Sequence, residues 1–267
     1  MKTLLNYPGS KKRIAQWIIK HMPAHHSYVE PYFGCGAVLF AKKPAAIETV
    51  NDLDGEVVNF FRTIRDPESR EKLQEWLMYT PYARDVYKDS FQEPKDCVER
   101  AAYFAVKSMQ SHGFRMTGDC GWKKDVCGRE YAYAVKYWNE LPESIAEMAA
   151  RLKHVQIENR PALEVMENFN RENVLVYLDP PYVFSTRSGG KQYRHEMPDR
   201  NHIELMETVV DSRAKIIISG YDCELYDFYL GNWNKAQITA RTQDNKCRVE
   251  TLWMNYDLEG QQLTLNL

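Results

Sequence analysis

No stretch of the chain is apolar for long enough to cross a bilayer. The opening residues Met1-Lys2-Thr3-Leu4-Leu5 also lack the apolar run of a signal peptide, so a soluble, cytoplasmic protein is expected. The six cysteines are scattered, with no CxxC pair, which fits a reduced compartment better than a disulfide scaffold. Cys120 and Cys127 with His112 match no common zinc spacing and lack a fourth ligand, so no metal is expected. Neither sign of charge dominates: the net charge is −2, which excludes a global basic field, and any nucleic-acid partner must be held by local patches. Internal repeats and low-complexity tracts are absent. What remains is 267 residues at 44% hydrophobic, enough for one large α/β domain or one domain with an insert.

The chain is organised around Val174-Leu175-Val176-Tyr177-Leu178 and the Asp179-Pro180-Pro181-Tyr182 that follows. Five apolar or β-favouring residues in a row read as a strand buried on both faces of a parallel sheet. Two prolines then hold the backbone extended and carry no N–H of their own, so Tyr182 stands at a defined distance beyond Asp179. Open α/β sheets place ligands at that carboxyl edge. Asp179 and the Pro180 carbonyl suit the two hydrogens of an exocyclic amino group, with Tyr182 stacked on the ring that carries it. In that role the ring face of Tyr182 matters more than its hydroxyl. The plainer alternative is a tight turn in which Asp179 caps a helix and Tyr182 only packs.

Upstream, Tyr7-Pro8-Gly9-Ser10-Lys11 is a turn before a predicted helix over 12–21, with Ser10 as N-cap. A short strand at 27–30 runs into Pro31-Tyr32-Phe33-Gly34-Cys35-Gly36-Ala37 and a helix over 38–42, the first unit of a nucleotide-binding fold. A second strand at 47–50 ends at Asn51-Asp52, where an acidic residue is placed to bind ribose hydroxyls. Its alternative is to cap the next helix, 54–65, and Asp52 and Asp54 are suited to divide the two tasks. Residues 66–153 change in character: aromatics are frequent and prolines break the periodicity. Helices are expected over 98–110 and 131–152, the latter restarting at Pro142. Between them a loop carries Arg115, Lys123, Lys124 and Arg129, either a surface excursion or a phosphate- and base-contacting element. The αβ rhythm returns with strands at 155–158, 174–178 and 215–219 and helices at 162–169, 202–210 (capped by Asp199 or Asn201) and 223–230. A hairpin of 234–239 with 249–255 closes the chain. The loop 183–200, with Arg187, Lys191 and Arg194, is long and basic and lies at the ligand edge.

Taken in order, these motifs resemble the D12-class, Dam-like DNA adenine-N6 methyltransferases over nearly the whole chain. Residues 66–153 match loosely, Tyr7-Pro8 stands where many members have Trp-Ala, and Cys35 where Ala is frequent. The resemblance implies a Rossmann-like methyltransferase sheet, mostly parallel with one antiparallel strand. It divides the chain into a catalytic domain, 1–65 and 154–267, and an inserted, mainly helical target-recognition region, 66–153. It implies S-adenosyl-L-methionine as methyl donor, with Tyr7 and Lys11 lining the cofactor site. Phe33, Gly34 and Gly36 would approach the methionine portion, Asp52 would hold the ribose, and Asp179 would sit where the cofactor and the target amino group meet. The substrate is then double-stranded DNA with the adenine flipped out, Asp179, Pro180 and Tyr182 being catalytic. Arg187, Lys191 and Arg194 are expected at the flanking phosphates; Arg115, Lys123, Lys124 and Arg129 are expected toward base edges. A cytosine-N4 methyltransferase, for which an SPPY pattern is more usual than DPPY, and an inactive DNA-binding relative remain alternatives. The resemblance admits a partner restriction endonuclease as well as an orphan methylase, and sets no oligomeric state.

Overall fold

The computed structural model describes residues 5–112, 118–127, 130–187, 190–241 and 247–257. Seven strands form one sheet: β1 (Ser27–Glu30), β2 (Ile47–Asn51), β3 (Val155–Glu158), β4 (Val174–Leu178), β5 (Lys215–Gly220), β6 (Asn234–Arg241) and β7 (Cys247–Met254). Their order is β3-β2-β1-β4-β5-β7-β6. The first five pair in parallel, and β7 runs antiparallel to both its neighbours, so it alone is reversed. This is the Rossmann-like sheet with one antiparallel strand that was expected. Sequence order reverses between β1 and β4, and their carboxyl ends form the crevice in which open α/β sheets hold ligands.

All five residues of β4 are buried. Val174, Val176 and Leu178 belong to one apolar cluster, with Val29, Ile216 and Ile218; Leu175 and Tyr177 belong to the other, with Tyr28, Val50 and Ile217. The two-residue period of a strand thus divides one apolar run between two cores.

Ten helices accompany the sheet among the described residues: α1 (Ala15–Lys20), α2 (Ala37–Ala41), α3 (Gly55–Arg65), α4 (Pro67–Tyr79), α5 (Arg84–Asp89), α6 (Cys97–Gln110), α7 (Tyr133–Leu152), α8 (Ala162–Asn168), α9 (Asp199–Val210) and α10 (Glu224–Leu230). Helices α3–α7 all lie between β2 and β3 in the chain. Leu73, Leu77, Tyr87, Phe104 and Trp138 from α4–α7 share one apolar cluster with Tyr28, Val50 and Tyr177 of the sheet.

Several local expectations change. Ser10 caps no helix: its hydroxyl lies 3.1 Å from the Cys35 thiol, and α1 starts only at Ala15 after a turn closed from Ile14 N–H to the Lys11 carbonyl. Helix α7 does not restart at Pro142 but runs through it. An internal proline costs about 3 kcal/mol. The helix places Trp138, Leu141, Ile145 and Met148 in the core around it, and the Gln74 amide donates to the Pro142 carbonyl at 2.7 Å. Neither Asp199 nor Asn201 caps α9, whose N-cap is Pro198. Asp54 does cap α3, accepting from Glu56 N–H at 2.9 Å.

Candidate active site

Parallel strands end on one edge, and the residues just past β1, β2 and β4 converge there. A cavity of about 250 Å³ is lined by Tyr7, Lys11, Phe33, Gly34, Asp52 and Asp179. Six residues selected from separate motifs therefore face one space. Gly36 is not on its wall. That residue is the N-cap of α2 at φ 69°, and a Cβ there would lie 2.5 Å from the Phe33 ring, so glycine serves the turn itself.

Asp52 is held by backbone. Gly34 N–H donates to Oδ2 at 2.7 Å and Asp54 N–H to Oδ1 at 2.9 Å. Burial pushes its carboxyl up to about 6, against the pull of those two amides. Gly34 has φ 50°, and a Cβ would meet the Tyr7 ring at 3.0 Å, so the glycine keeps the cavity floor at backbone depth. Asp54 caps the helix with Oδ1 while its buried Oδ2 has no hydrogen-bond partner. An orphaned acceptor beside a cradled carboxylate, with an apolar wall, fits a ribose and its attached apolar portion.

At the other end, Lys11 Nζ stands 2.8 Å from Asp179 Oδ1, with side chains only 5% and 19% exposed. Nζ also donates to the Gly9 carbonyl at 2.6 Å and lies 4.8 Å from the centre of the Tyr182 ring. Burial pushes Asp179 up to about 6; Lys11 pulls it down and Glu250 adds to the rise. Burial works to lower Lys11, but the Asp179 and Glu250 carboxylates outweigh it and hold the ammonium above its ordinary value. Lys11 thus lines the cavity, but its charged end is spent on the aspartate. Glu30, at the end of β1 on the same cavity, is pushed up to about 8 by burial, against the pull of the Tyr28 hydroxyl, which donates to it at 2.9 Å. Near neutral pH the site therefore favours ionised Asp52 and Asp179 beside a neutral Glu30.

Tyr182 is buried, its hydroxyl donates to Glu250 Oε2 at 2.6 Å, and the Tyr221 ring meets it edge-on at 4.7 Å. The hydroxyl thus has a charged partner of its own, beside the ring face on which the expected stacking role rests.

The loop after Tyr182 folds over the cavity. Arg187 pairs with Glu196 at 2.6 Å, and Glu196 Oε1 accepts from the Gln192 and Tyr193 amides at 2.6 and 3.1 Å. Tyr193, His195, Glu196 and Met197 join the cavity wall, and the Tyr193 hydroxyl closes on Gly9. The Arg187 side chain is only 6% exposed, so the expectation that it meets a phosphate does not fit: its guanidinium holds the loop together from inside. Lys191 is exposed. Arg194 is 42% exposed and leans toward Asp54 and Glu56 at 3.5 and 3.9 Å.

In the other basic segment, Arg115 and Arg129 lie outside the described residues. Lys124 is exposed; Lys123 is half-buried, and its backbone bonds the Gln110 carbonyl at 2.7 Å and the Tyr82 hydroxyl at 2.7 Å. With the bridge between Ser111 and Trp122, these bonds form a neck at the base of the loop. Sequence reasoning missed Glu250, Tyr221, Tyr193 and Glu196. Tyr193 had a signal, an aromatic within a basic loop at the ligand edge; Glu250 had none.

Among the described residues, no helix is long and apolar enough to cross a membrane, and no three His, Cys, Asp or Glu side chains form a metal-binding group. A family model described as D12 class N6 adenine-specific DNA methyltransferase matches residues 7–243. The DNA adenine methylase of Vibrio cholerae serotype O1 is 24% identical over 237 residues, spanning 83% of this chain and 82% of that protein. The retron Ec67 DNA adenine methylase of Escherichia coli is 26% identical over 257 residues, 90% and 85% of the two. The cytosine-N4 and inactive alternatives are not favoured by these matches. The chain belongs to the D12 class of N6 adenine-specific DNA methyltransferases.

Proposed function

We propose that this chain transfers a methyl group from S-adenosyl-L-methionine to N6 of an adenine flipped out of double-stranded DNA, with Asp179, Pro180 and Tyr182 as the catalytic residues. The observation that carries this reading is a buried aspartate, paired at 2.8 Å with a lysine ammonium, on the wall of the same cavity as the Gly34–Asp52 cradle. When bound, the cofactor supplies an electrophilic sulfonium methyl. Asp52 would accept its ribose hydroxyls, Phe33 and Gly34 would approach its methionine portion, and Tyr7 would line the site beside them.

Adenine N6 is a poor nucleophile because its lone pair is delocalised into the ring. Asp179 and the Pro180 carbonyl accept its two hydrogens, favour a pyramidal nitrogen and aim the lone pair. The ionised Asp179 stabilises positive charge developing on N6. It then takes the proton that the nitrogen sheds, a task for which its raised pKa suits it better than an exposed aspartate. To do so it must release Lys11, whose ammonium occupies the place of the target amino group. Tyr182 replaces part of the stacking that the flipped base loses, and the Tyr193 loop excludes water.

Residues 66–153 are read as the target-recognition region inserted into a catalytic domain of 1–65 and 154–267. Lys123 and Lys124, with Arg115 and Arg129, are assigned to DNA on the recognition side, and Lys191 and Arg194 to phosphates near the flipped base. The deciding experiment is methylation of plasmid DNA by the purified protein with S-adenosyl-L-methionine, read base by base. N6-methyladenine at one recurrent sequence is the expected result; methylated cytosine or no methylation would reject the proposal.

A further inference from the structure

Strand β7 is the one reversed strand of the sheet, and reversal brings its amino-terminal half to the edge where the parallel strands end. Thr251 pairs with Gly220, the last residue of β5, so Glu250 comes to lie beside Tyr221 at the rim of the catalytic crevice. Nothing in β7's own pairing requires an acid there: Glu250 sits opposite Ile238 of β6. Its carboxylate instead turns to the catalytic turn and accepts the Tyr182 hydroxyl at 2.6 Å.

Tyr182 is held from three sides. Lys11 lies over the ring at 4.8 Å, Tyr221 meets it edge-on at 4.7 Å, and Glu250 takes its hydroxyl. The first contact must loosen when Lys11 releases Asp179, and the second is a ring contact that restrains tilt weakly. A hydrogen bond to a carboxylate is roughly twice as strong as a neutral one and fixes the long axis of the ring. We infer that Glu250 is a positioning residue for methyl transfer: by accepting the Tyr182 hydroxyl it fixes the ring face that receives the flipped adenine. This rests on the proposed adenine-N6 activity and extends it to a strand outside the catalytic motif. Glu250 also contributes to the charge around Lys11, so the ammonium keeps a carboxylate neighbour while Asp179 is engaged with the base.

The test compares Glu250→Ala, Glu250→Gln, Tyr182→Phe and the Ala/Phe double variant in full-length protein. Turnover is measured on a duplex carrying the mapped site, and cofactor binding by calorimetry. Glu250→Ala should lower kcat about tenfold, the worth of one charge-assisted hydrogen bond, with the cofactor dissociation constant changed by less than about twofold. Glu250→Gln retains an acceptor and should recover most of that loss. Tyr182→Phe should add little to Glu250→Ala, since the two changes remove one bond. Multiplicative losses in the double variant, or a Gln variant as slow as Ala, would overturn the inference. A purely structural glutamate would give that pattern, together with a lowered melting temperature and weaker cofactor binding. Should the Ala variant not fold, Glu250→Gln is expected to stay well above Tyr182→Phe in kcat, and equal losses overturn it. A wild-type protein inactive on adenine would remove the proposed function and this role together, whereas an active wild type with multiplicative losses removes this role alone.

Discussion

Lys11 Nζ and Asp179 Oδ1 stand 2.8 Å apart, and the same ammonium lies over the Tyr182 ring, so one side chain of the protein covers both surfaces assigned to the substrate base. Lys11 pulls the buried aspartate down toward ionisation while burial pushes it up to about 6. Replacing Lys11 with Met should let burial act unopposed and raise the aspartate further. The acidic limb of the kcat/KM–pH profile, which reports the free enzyme and is expected near pH 6 in the wild type, should then move upward. An unmoved limb would mean that Asp179 is not the group being titrated.

Asp179→Ala should lower turnover by on the order of 10²–10⁴-fold, the range for a positioned acid–base group. Calorimetry should still detect the cofactor, because Asp52 and Gly34 are untouched. Near-normal turnover would refute the catalytic role.

Asp52→Ala should weaken S-adenosyl-L-methionine by about 1.5–3 kcal/mol, the worth of hydrogen bonds to a charged acceptor. Because burial holds Asp52 at about 6, the wild-type affinity itself should fall as pH drops below that value and the acceptor becomes protonated. Titrations at pH 7.5 and 5.5 test both statements, and unchanged affinity would leave Asp52 as a brace for Gly34 and Asp54 only.

Charges in the loop after Tyr182 should separate into two kinds. Neutralising exposed Lys191 and Arg194 together should weaken binding to all DNA sequences and lower the salt slope by about two units. Arg187→Ala should leave that slope alone. It would instead strand Glu196, whose carboxyl is held below its ordinary value by Arg187 and the loop amides despite burial, at a cost of about 3–5 kcal/mol. Salt-dependent binding and thermal melts of the two variants distinguish the cases.

Glu30 carries a sign that can be checked in the folded protein. Its folded pKa is raised by burial from 4.5 to about 8, so the neutral form is favoured on folding. Its contribution is most favourable below pH 4.5 and is lost as pH rises through 8. Glu30→Gln should therefore gain stability relative to the wild type between pH 5 and 8. A stability difference constant across that range would show that Glu30 titrates normally.

Much of this site could be read before folding was considered, because its residues follow strands directly. Asp179 ends an apolar run, Asp52 follows a short β-favouring one, Gly34 sits in a turn between strand and helix, and the cavity gathers all three. Glu250 could not be read this way. It meets Tyr182 across 68 residues, through an antiparallel pairing that no local pattern encodes. Arg187 was misjudged for a related reason: its basic loop resembles a phosphate contact until Glu196, nine residues on, turns the guanidinium inward. Helices α4 and α5 were obscured by prolines and aromatics. Asp66 caps α4 with a proline in its first turn, a start signal hidden in an irregular stretch.

Leu73, Tyr87, Phe104 and Trp138 share their apolar cluster with Tyr28, Val50 and Tyr177 of the sheet. Removing α4–α7 would strip one side of β1 and β4, so the insert and the catalytic sheet should melt in a single cooperative transition. A test of target recognition should therefore trade less than the whole insert: the short segment that carries Lys123 and Lys124, tied to the end of α6 by the Ser111–Trp122 bridge and the bond from Lys123 N–H to the Gln110 carbonyl.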